Sequence, residues 1–244
     1  LNTGRTIGGR SHCGTCNKTL SCRELIHFVS YIAQIGKCRA CKSSISIRYP
    51  VIELAGALAF IGIYLKFAGL LAIGLTTAFA VWFVLSALFF SLLIVISGYD
   101  AMHKIVPDGP LWTLIGVSVV SLFIPKFIFE FAFPSLEMIL AGPIVALPFF
   151  LLWALSRGRL MGFGDVKLAL PLGWLLGVSV GFTGIIIAFW IGALHAVILM
   201  VRRNTSYGMK SELPFVPYLA IGAFIAFACG LDIVGLVNLF SFFV

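Results

Sequence analysis

Six residues of this chain combine the types and spacing that carry chemistry: four cysteines near its start and two aspartates further along. Cys13-Gly14-Thr15-Cys16 and Cys38-Arg39-Ala40-Cys41 are two Cys-x2-Cys pairs separated by 21 residues. Four thiolates at these intervals suit a tetrahedral zinc, with Zn–S near ~2.3 Å. A redox or metal-free module is the alternative. His12 reads as a solvated loop histidine, with ligand substitution as its other reading. Cys22 falls outside the pattern, and Cys229, in an apolar stretch, packs as a small hydrophobe.

Asp100 and Asp165 stand where long apolar runs meet polar loops, in Gly98-Tyr99-Asp100 and Gly162-Phe163-Gly164-Asp165-Val166-Lys167. Carboxylates at membrane depth are costly and mark function by default. The alternative is that each ends a span at the headgroup level. Glycines beside both let backbone or substrate approach closely. Two carboxylates that share a proton divide the work of a peptidase, one as general base on water and the other as acid toward a carbonyl oxygen. Such chemistry needs neither a Ser or Cys nucleophile nor a metal.

The elements that must position these groups are membrane helices. Hydrophobic residues make up 61% of the 244, charged ones 11%, and mean hydropathy is +1.10, with 23 Phe. A soluble domain of this size has no interior large enough for so much apolar side chain. Composition changes near residue 50: residues 1–49 hold eight Lys/Arg and five of the six Cys, and long uncharged runs follow. The expected organisation is therefore a polar cysteine module at 1–50 and a membrane domain at 51–244, all-α, built as a polytopic helical bundle.

The uncharged runs give about seven spans at roughly 20 residues each. Leu168–Val201 is long enough for two short spans turning near Gly181–Gly184. Phe67–Tyr99 divides into an outer loop holding Gly69 and Gly74 and one span from about Leu75 to Ile96. Alternate loops then place fifteen of the seventeen Lys/Arg on one side, leaving Lys66 and Lys126 on the other. By the positive-inside rule that side is the cytoplasm, which accounts for the net charge of +8 without nucleic acid.

Three further charged residues have competing readings. Asp108, before Gly109-Pro110, reads as an acidic N-cap, with catalysis as the alternative. Lys167 can stabilise charge on Asp165, hold a lipid phosphate, or simply snorkel to the interface. Glu53, three residues after Pro50, reads as an interfacial anchor that hydrogen-bonds to a helix end; its alternative comes with the resemblance given below. His103 reads as a solvated loop residue, and His195 as a hydrogen-bonding group inside the bundle.

The Gly-x-Gly-Asp sequence resembles the intramembrane aspartic proteases that carry this motif, and within them the type IV prepilin peptidases. The resemblance covers nearly the whole chain. It includes both Cys pairs, the junction Ile45-Ser46-Ile47-Arg48-Tyr49-Pro50-Val51-Ile52-Glu53-Leu54, Asp100 with Pro107-Asp108, and Met161-Gly-Phe-Gly-Asp165-Val-Lys167-Leu168. Pro214-Phe215-Val216-Pro217 resembles a Pro-Phe-Gly-Pro segment, with Val216 in place of its glycine. Leu1-Asn2 resembles the end of a preceding span, implying eight in the full-length protein.

The resemblance implies that Asp100 and Asp165 are catalytic, with Gly162, Gly164, Lys167, Glu53 and Asp108 supporting them. It implies cleavage of a short basic leader from type IV prepilins and pseudopilins, after a Gly, at the cytoplasmic face of the cell (inner) membrane. It also implies N-methylation of the new N-terminus from S-adenosylmethionine, a donor for which the sequence offers no glycine-rich loop. Presenilin or signal-peptide-peptidase relatives share the Tyr-Asp and Gly-x-Gly-Asp patterns but not the cysteine module. A proton- or cation-coupled transporter needs acids near span centres and internal repeats. A zinc-tethered scaffold without catalysis is the remaining alternative.

Overall fold

The structure, a computed structural model, describes residues 11–21, 24, 27–129, 134–201 and 213–235. Among the described residues seven helices follow one another: α1 (His27–Ala33), α2 (Arg48–Ala72), α3 (Thr76–His103), α4 (Asp108–Phe129), α5 (Leu136–Ser156), α6 (Phe163–Val201) and α7 (Val216–Cys229). No strand occurs among the described residues; the isolated bridges His12 to Thr19 and Lys37 to Ser44 are the extended pairings. The chain forms two compact units, residues 1–58 and 59–244. Arg202, Arg203 and Lys210, which the sequence assigns to a polar loop, lie outside the described residues, as do Arg5, Arg10, Cys22 and Arg23.

The second unit is held by apolar stripes at helical spacing. Phe89, Leu93 and Ile96 of α3, Leu111 and Leu114 of α4, Val145 and Phe149 of α5, and Leu168 and Leu172 of α6 are all buried. Their i, i+3 and i, i+4 intervals give each helix one inward face. The outward faces are just as apolar: Leu88, Val95, Trp112, Leu151 and Leu194 are exposed. Helices apolar on every side are stable where the surrounding solvent is hydrocarbon. Four of them, α2, α3, α5 and α6, are long and apolar enough to cross a membrane, and two shorter apolar helices cover Asp108–Ile124 and Val216–Cys229.

Two loop assignments change. Gly69 is helical inside α2, which runs through Lys66 to Ala72, so the expected outer loop shrinks to residues 73–75 around Gly74 at φ +81°. The long apolar run after Leu168 bends at Gly177 (φ 78°, ψ 173°), not at Gly181–Gly184. Neighbours show how far the direction changes. Before Gly177, α6 runs antiparallel to α5: the Trp153 and Phe163 rings lie 4.8 Å apart, and Trp174 Nε1 donates to the Ile139 carbonyl at 2.9 Å. After it, Gly181 lies against Val145 and Phe189 stacks on Phe149 at 6.3 Å, so the same two helices now run parallel. The chain therefore reverses at Gly177, whose left-handed φ only glycine adopts without strain. The apolar run itself carries no polarity mark to locate the reversal.

Gly184 instead serves helix packing. Facing Gly222 on α7, it lets the two backbones approach, and a β-carbon at Gly222 would meet the Gly184 carbonyl and sit 2.6 Å from the Ala188 nitrogen. Backbone cannot move aside as a side chain can. Gly222→Val is thus expected to destabilise the bundle by more than ~2 kcal/mol, at the costly end of overpacking. Thermal unfolding in detergent checks this, with a midpoint equal to the parent's as the contrary result.

Candidate active site and candidate metal centre

Asp100 lies in the last turn of α3. The helix closes on it: Lys104, in the left-handed conformation at φ 54°, donates its N–H to the Asp100 carbonyl at 2.8 Å. Asp100 is 5% exposed, and its Oδ2 has no hydrogen-bond partner among the described residues.

Asp165 is the third residue of α6. Its N–H donates to the Gly162 carbonyl at 3.3 Å, and a β-carbon at Gly162 would lie 3.8 Å from its Oδ2. The Gly-Phe-Gly-Asp sequence is thus a helix start whose third residue lies close to the glycine before the helix. Gly164 sets where that start sits. A β-carbon there would lie 2.8 Å from Cγ2 of Val106, in the loop joining α3 to α4, so only glycine lets the two acidic loops touch. Asp100 and Asp165, 65 residues apart in sequence, consequently lie close enough for the charge of one to act on the other. One side chain of the pair is buried and the other half-buried.

Lys167 and Asp108 link the same two loops from outside. Lys167 Nζ donates to Asp108 Oδ1 at 3.2 Å and lies 5.7 Å above the Phe163 ring. Asp108 is the first residue of α4, and this carboxylate oxygen serves the lysine across the site. Glu53 lies half-buried in the second turn of α2, within the first unit. His103 is the last residue of α3, its exposed ring 4.4 Å from that of Tyr99. His195 does hydrogen-bond within the bundle, through Nδ1 to Tyr218 Oη, yet remains exposed. At position 216 the backbone simply enters a helix, with Phe215 at φ −87°, so no turn there requires glycine. Val106 is the site component that sequence reasoning missed, because its side chain is not chemically distinctive.

In the first unit, Cys13, Cys16, Cys38 and Cys41 converge so that their sulfurs all lie within 4.8 Å of one another. Two matching loops produce this. The Cys13 N–H donates to the Lys18 carbonyl and the Asn17 N–H to the Cys13 carbonyl; Cys38 pairs with Ser43, and Lys42 with Cys38, at the same offsets. Asn17 and Lys42, the equivalent fifth positions, both adopt positive φ, at 55° and 58°. Cys13 and Cys41 sulfurs stand 3.8 Å apart, the edge of a tetrahedron with bonds of about 2.3 Å. The backbone N–H groups of Cys16 and Thr15 pull the Cys13 thiol down to about 6. At Cys16 a hydrogen bond from Lys18 lowers the value, but desolvation and the neighbouring sulfurs outweigh it and push the thiol up to about 11. One thiolate forms readily and opposes the next, which is the condition a divalent cation relieves. The donor set therefore fits zinc.

Residues 3–67 match the family described as Bacterial Peptidase A24 N-terminal domain, and residues 87–197 match the Type IV leader peptidase family. A protein of Bacillus subtilis (strain 168) is 28% identical over 232 residues, covering 93% of this chain and 85% of that protein. One from Pseudomonas aeruginosa is 32% identical over 227 residues, covering 90% and 71%, and one from Stutzerimonas stutzeri is 30% identical over 230 residues, covering 90% and 72%. All three are named prepilin leader peptidase/N-methyltransferase. No solved structure matches significantly. The similarity spans the cysteine loops and both aspartate loops, and by it the chain belongs to the type IV leader peptidase family of membrane proteases.

Proposed function

We propose that Asp100 and Asp165 are the catalytic pair of this prepilin leader peptidase, and that it cuts the basic leader from type IV prepilins and pseudopilins after a Gly. The observation that carries this reading is the convergence of the two carboxylates from the end of α3 and the start of α6. In the reaction one carboxylate takes a proton from water as oxygen attacks the scissile carbonyl carbon, and the other protonates the carbonyl oxygen. The tetrahedral diol then collapses, the C–N bond breaks, and the leaving amine takes up a proton. Gly162 and Gly164 hold Asp165 at the loop, and Asp108 with Lys167 brace the loops from outside.

Counting each arm of α6 gives seven crossings, with both aspartates at one membrane face. The distribution of Lys and Arg supports the cytoplasmic side of the cell membrane for that face. A substrate's apolar segment lies among lipids against the exposed helices and presents its leader junction at the interface. Cys13, Cys16, Cys38 and Cys41 hold a structural zinc, which supplies a cross-link between the two loops of a module at residues 1–50. The relatives' names support a second step, transfer of a methyl group from S-adenosylmethionine to the new N-terminal amine; no residue is assigned to that donor. Incubating purified protein with a synthetic prepilin N-terminal segment tests the reading. Mass spectrometry is expected to show cleavage after Gly, and an intact segment would overturn it.

The brace gives a smaller expectation. Asp108 is 71% and Lys167 32% exposed, so the pair is worth about 0.5–1 kcal/mol. Asp108→Asn or Lys167→Gln is then expected to slow cleavage roughly two- to fivefold. Exchanging the charges, Asp108→Lys with Lys167→Asp, is expected to recover part of that loss. Initial rates at equal membrane abundance check it, and a swap slower than both single changes would contradict the brace.

A further inference from the structure

Resting on the reading of α2 as a membrane span, we infer that the cysteine module carries a lipid-docking face. Val29, Ile32, Ile35 and Ile47, with a basic rim, seat the module on the anionic phospholipid surface where α2 enters the bilayer. Val29 and Ile32 stand three apart on one side of α1, both exposed, and Ile35, in the turn that ends the helix, is 84% exposed. The opposite side of α1 is polar and faces inward. Ser30 is buried, its hydroxyl donates to the Glu24 carbonyl at 3.0 Å, and Gln34 Nε2 donates to Ser30 Oγ. Half-buried Tyr31 lies against Gly36, where a β-carbon would sit 3.0 Å from its Oη. A helix surrounded by water places its polar and apolar sides the other way round. Single exposed apolar side chains are ordinary, but a whole apolar face backed by a polar one marks a surface that something covers.

The backbone shows what that face adjoins. The Gly36 carbonyl accepts the Ile45 N–H at 2.7 Å and Lys37 pairs with Ser44, so Ile35 is held beside the segment that leads into α2. Three residues carry the chain from Ile45 to Arg48, the first residue of α2, a reach of at most about 10 Å. Along it and beyond, Ile47, Tyr49, Val51 and Leu54 are exposed, the last three on a helix apolar and long enough to cross a membrane. The apolar face therefore continues a surface that itself requires lipid.

Charge selects the kind of lipid. Residues 11–48 hold Lys18, Arg23, Lys37, Arg39, Lys42 and Arg48 against one acid, Glu24, which already accepts from the N–H and hydroxyl of Ser21. Lys37, Arg39, Lys42 and Arg48 are exposed, and long stems let their charges reach phosphates while the isoleucines between them enter the interface. Each cation near an anionic membrane surface favours docking by a factor of about five. The same rim repels the basic leader of the proposed substrate, so lipid is the occupant that fits.

The test places the photoreactive residue p-benzoylphenylalanine singly at Ile32, Ile35, Thr15 or Leu54 of the full chain. The protein is reconstituted in vesicles of equal parts phosphatidylglycerol and phosphatidylcholine, and adducts are identified by mass spectrometry. Phospholipid adducts are expected at Ile32 and Ile35 and scarcely at Thr15, an exposed position of the other cysteine loop. Lys37→Gln with Lys42→Gln is expected to lower the Ile35 adduct by up to about 25-fold, at about fivefold per charge. Vesicles of phosphatidylcholine alone are expected to lower it likewise. Val29 carries the test if the Ile35 variant does not accumulate. Equal adducts at Thr15, yields indifferent to both changes of charge, or adducts to a second copy, to prepilin or to another part of this chain overturn the inference. Leu54, exposed on α2 in the same unit, separates the two levels. No lipid adduct there sinks the reading of α2 as a span, whereas lipid at Leu54 with none at Ile32 and Ile35 sinks only the docking face.

Discussion

Asp100→Asn and Asp165→Asn are each expected to lower the initial cleavage rate by ~10³-fold or more, to the background of the assay. The substitution keeps shape and removes the capacity to exchange a proton, so the loss reports chemistry. General acid–base groups individually contribute about 10²–10⁴. Because the two act on one scissile bond, the double variant is expected to be scarcely slower than either single one, as groups that work as a unit are non-additive. Packing argues that the variants fold: Asp165 is half-buried at a helix start, where Asn has nearly the same volume and keeps an acceptor oxygen. Asp100 is 5% exposed with one oxygen unpartnered, so its replacement relieves a burial cost. Rates normalised to membrane abundance decide the matter. An Asp165→Asn enzyme near the parental rate would return both carboxylates to the role of span-end anchors.

How much of this arrangement is legible in the sequence depends on whether a residue's type reveals its job. The acids do: an Asp at the edge of an apolar run is costly, and two of them bounded by glycines already pointed to one site. The four cysteines do too, since the Cys-x2-Cys spacing is itself the loop that brings sulfurs together. The run Leu168–Val201 does not. Gly177, Gly181 and Gly184 look alike there, and only the packing partners separate the residue that turns the chain from those that sit against Val145 and Ala223. Gly69 is a fourth case, helical where a loop was expected. Lys104, Asn17 and Lys42 occupy left-handed positions that glycine usually marks, so their turns carried no flag. The Asp108 to Lys167 bond joins residues 59 apart, a pairing that no local pattern encodes.

Cys38→Ser is expected to abolish stoichiometric zinc and open the cysteine loops while the membrane helices persist. Among the four ligands Cys38 is the buried one, so its thiol has no compensating access to water. A hydroxyl at that position stays protonated near neutrality and is a poor partner for the cation. Changes to groups that only orient a zinc ligand already cost about 10–100-fold in affinity, and loss of the ligand itself must cost more. Small metal modules draw their folding free energy from the bound ion, because four converging thiolates are otherwise held against their own repulsion. The matching loops around Cys13 and Cys38 offer little apolar burial to replace it: Ile35 and Ile47 nearby are exposed. The second unit has its own buried stripes along α3 to α7 and needs no metal to hold them. Elemental analysis is expected to give one zinc per chain for the parent and almost none for Cys38→Ser. Limited proteolysis is expected to cut the variant within residues 11–47 while fragments carrying α3 to α7 stay intact. Full zinc in Cys38→Ser, or equal resistance of the two proteins within 11–47, would remove the metal from the account of this module.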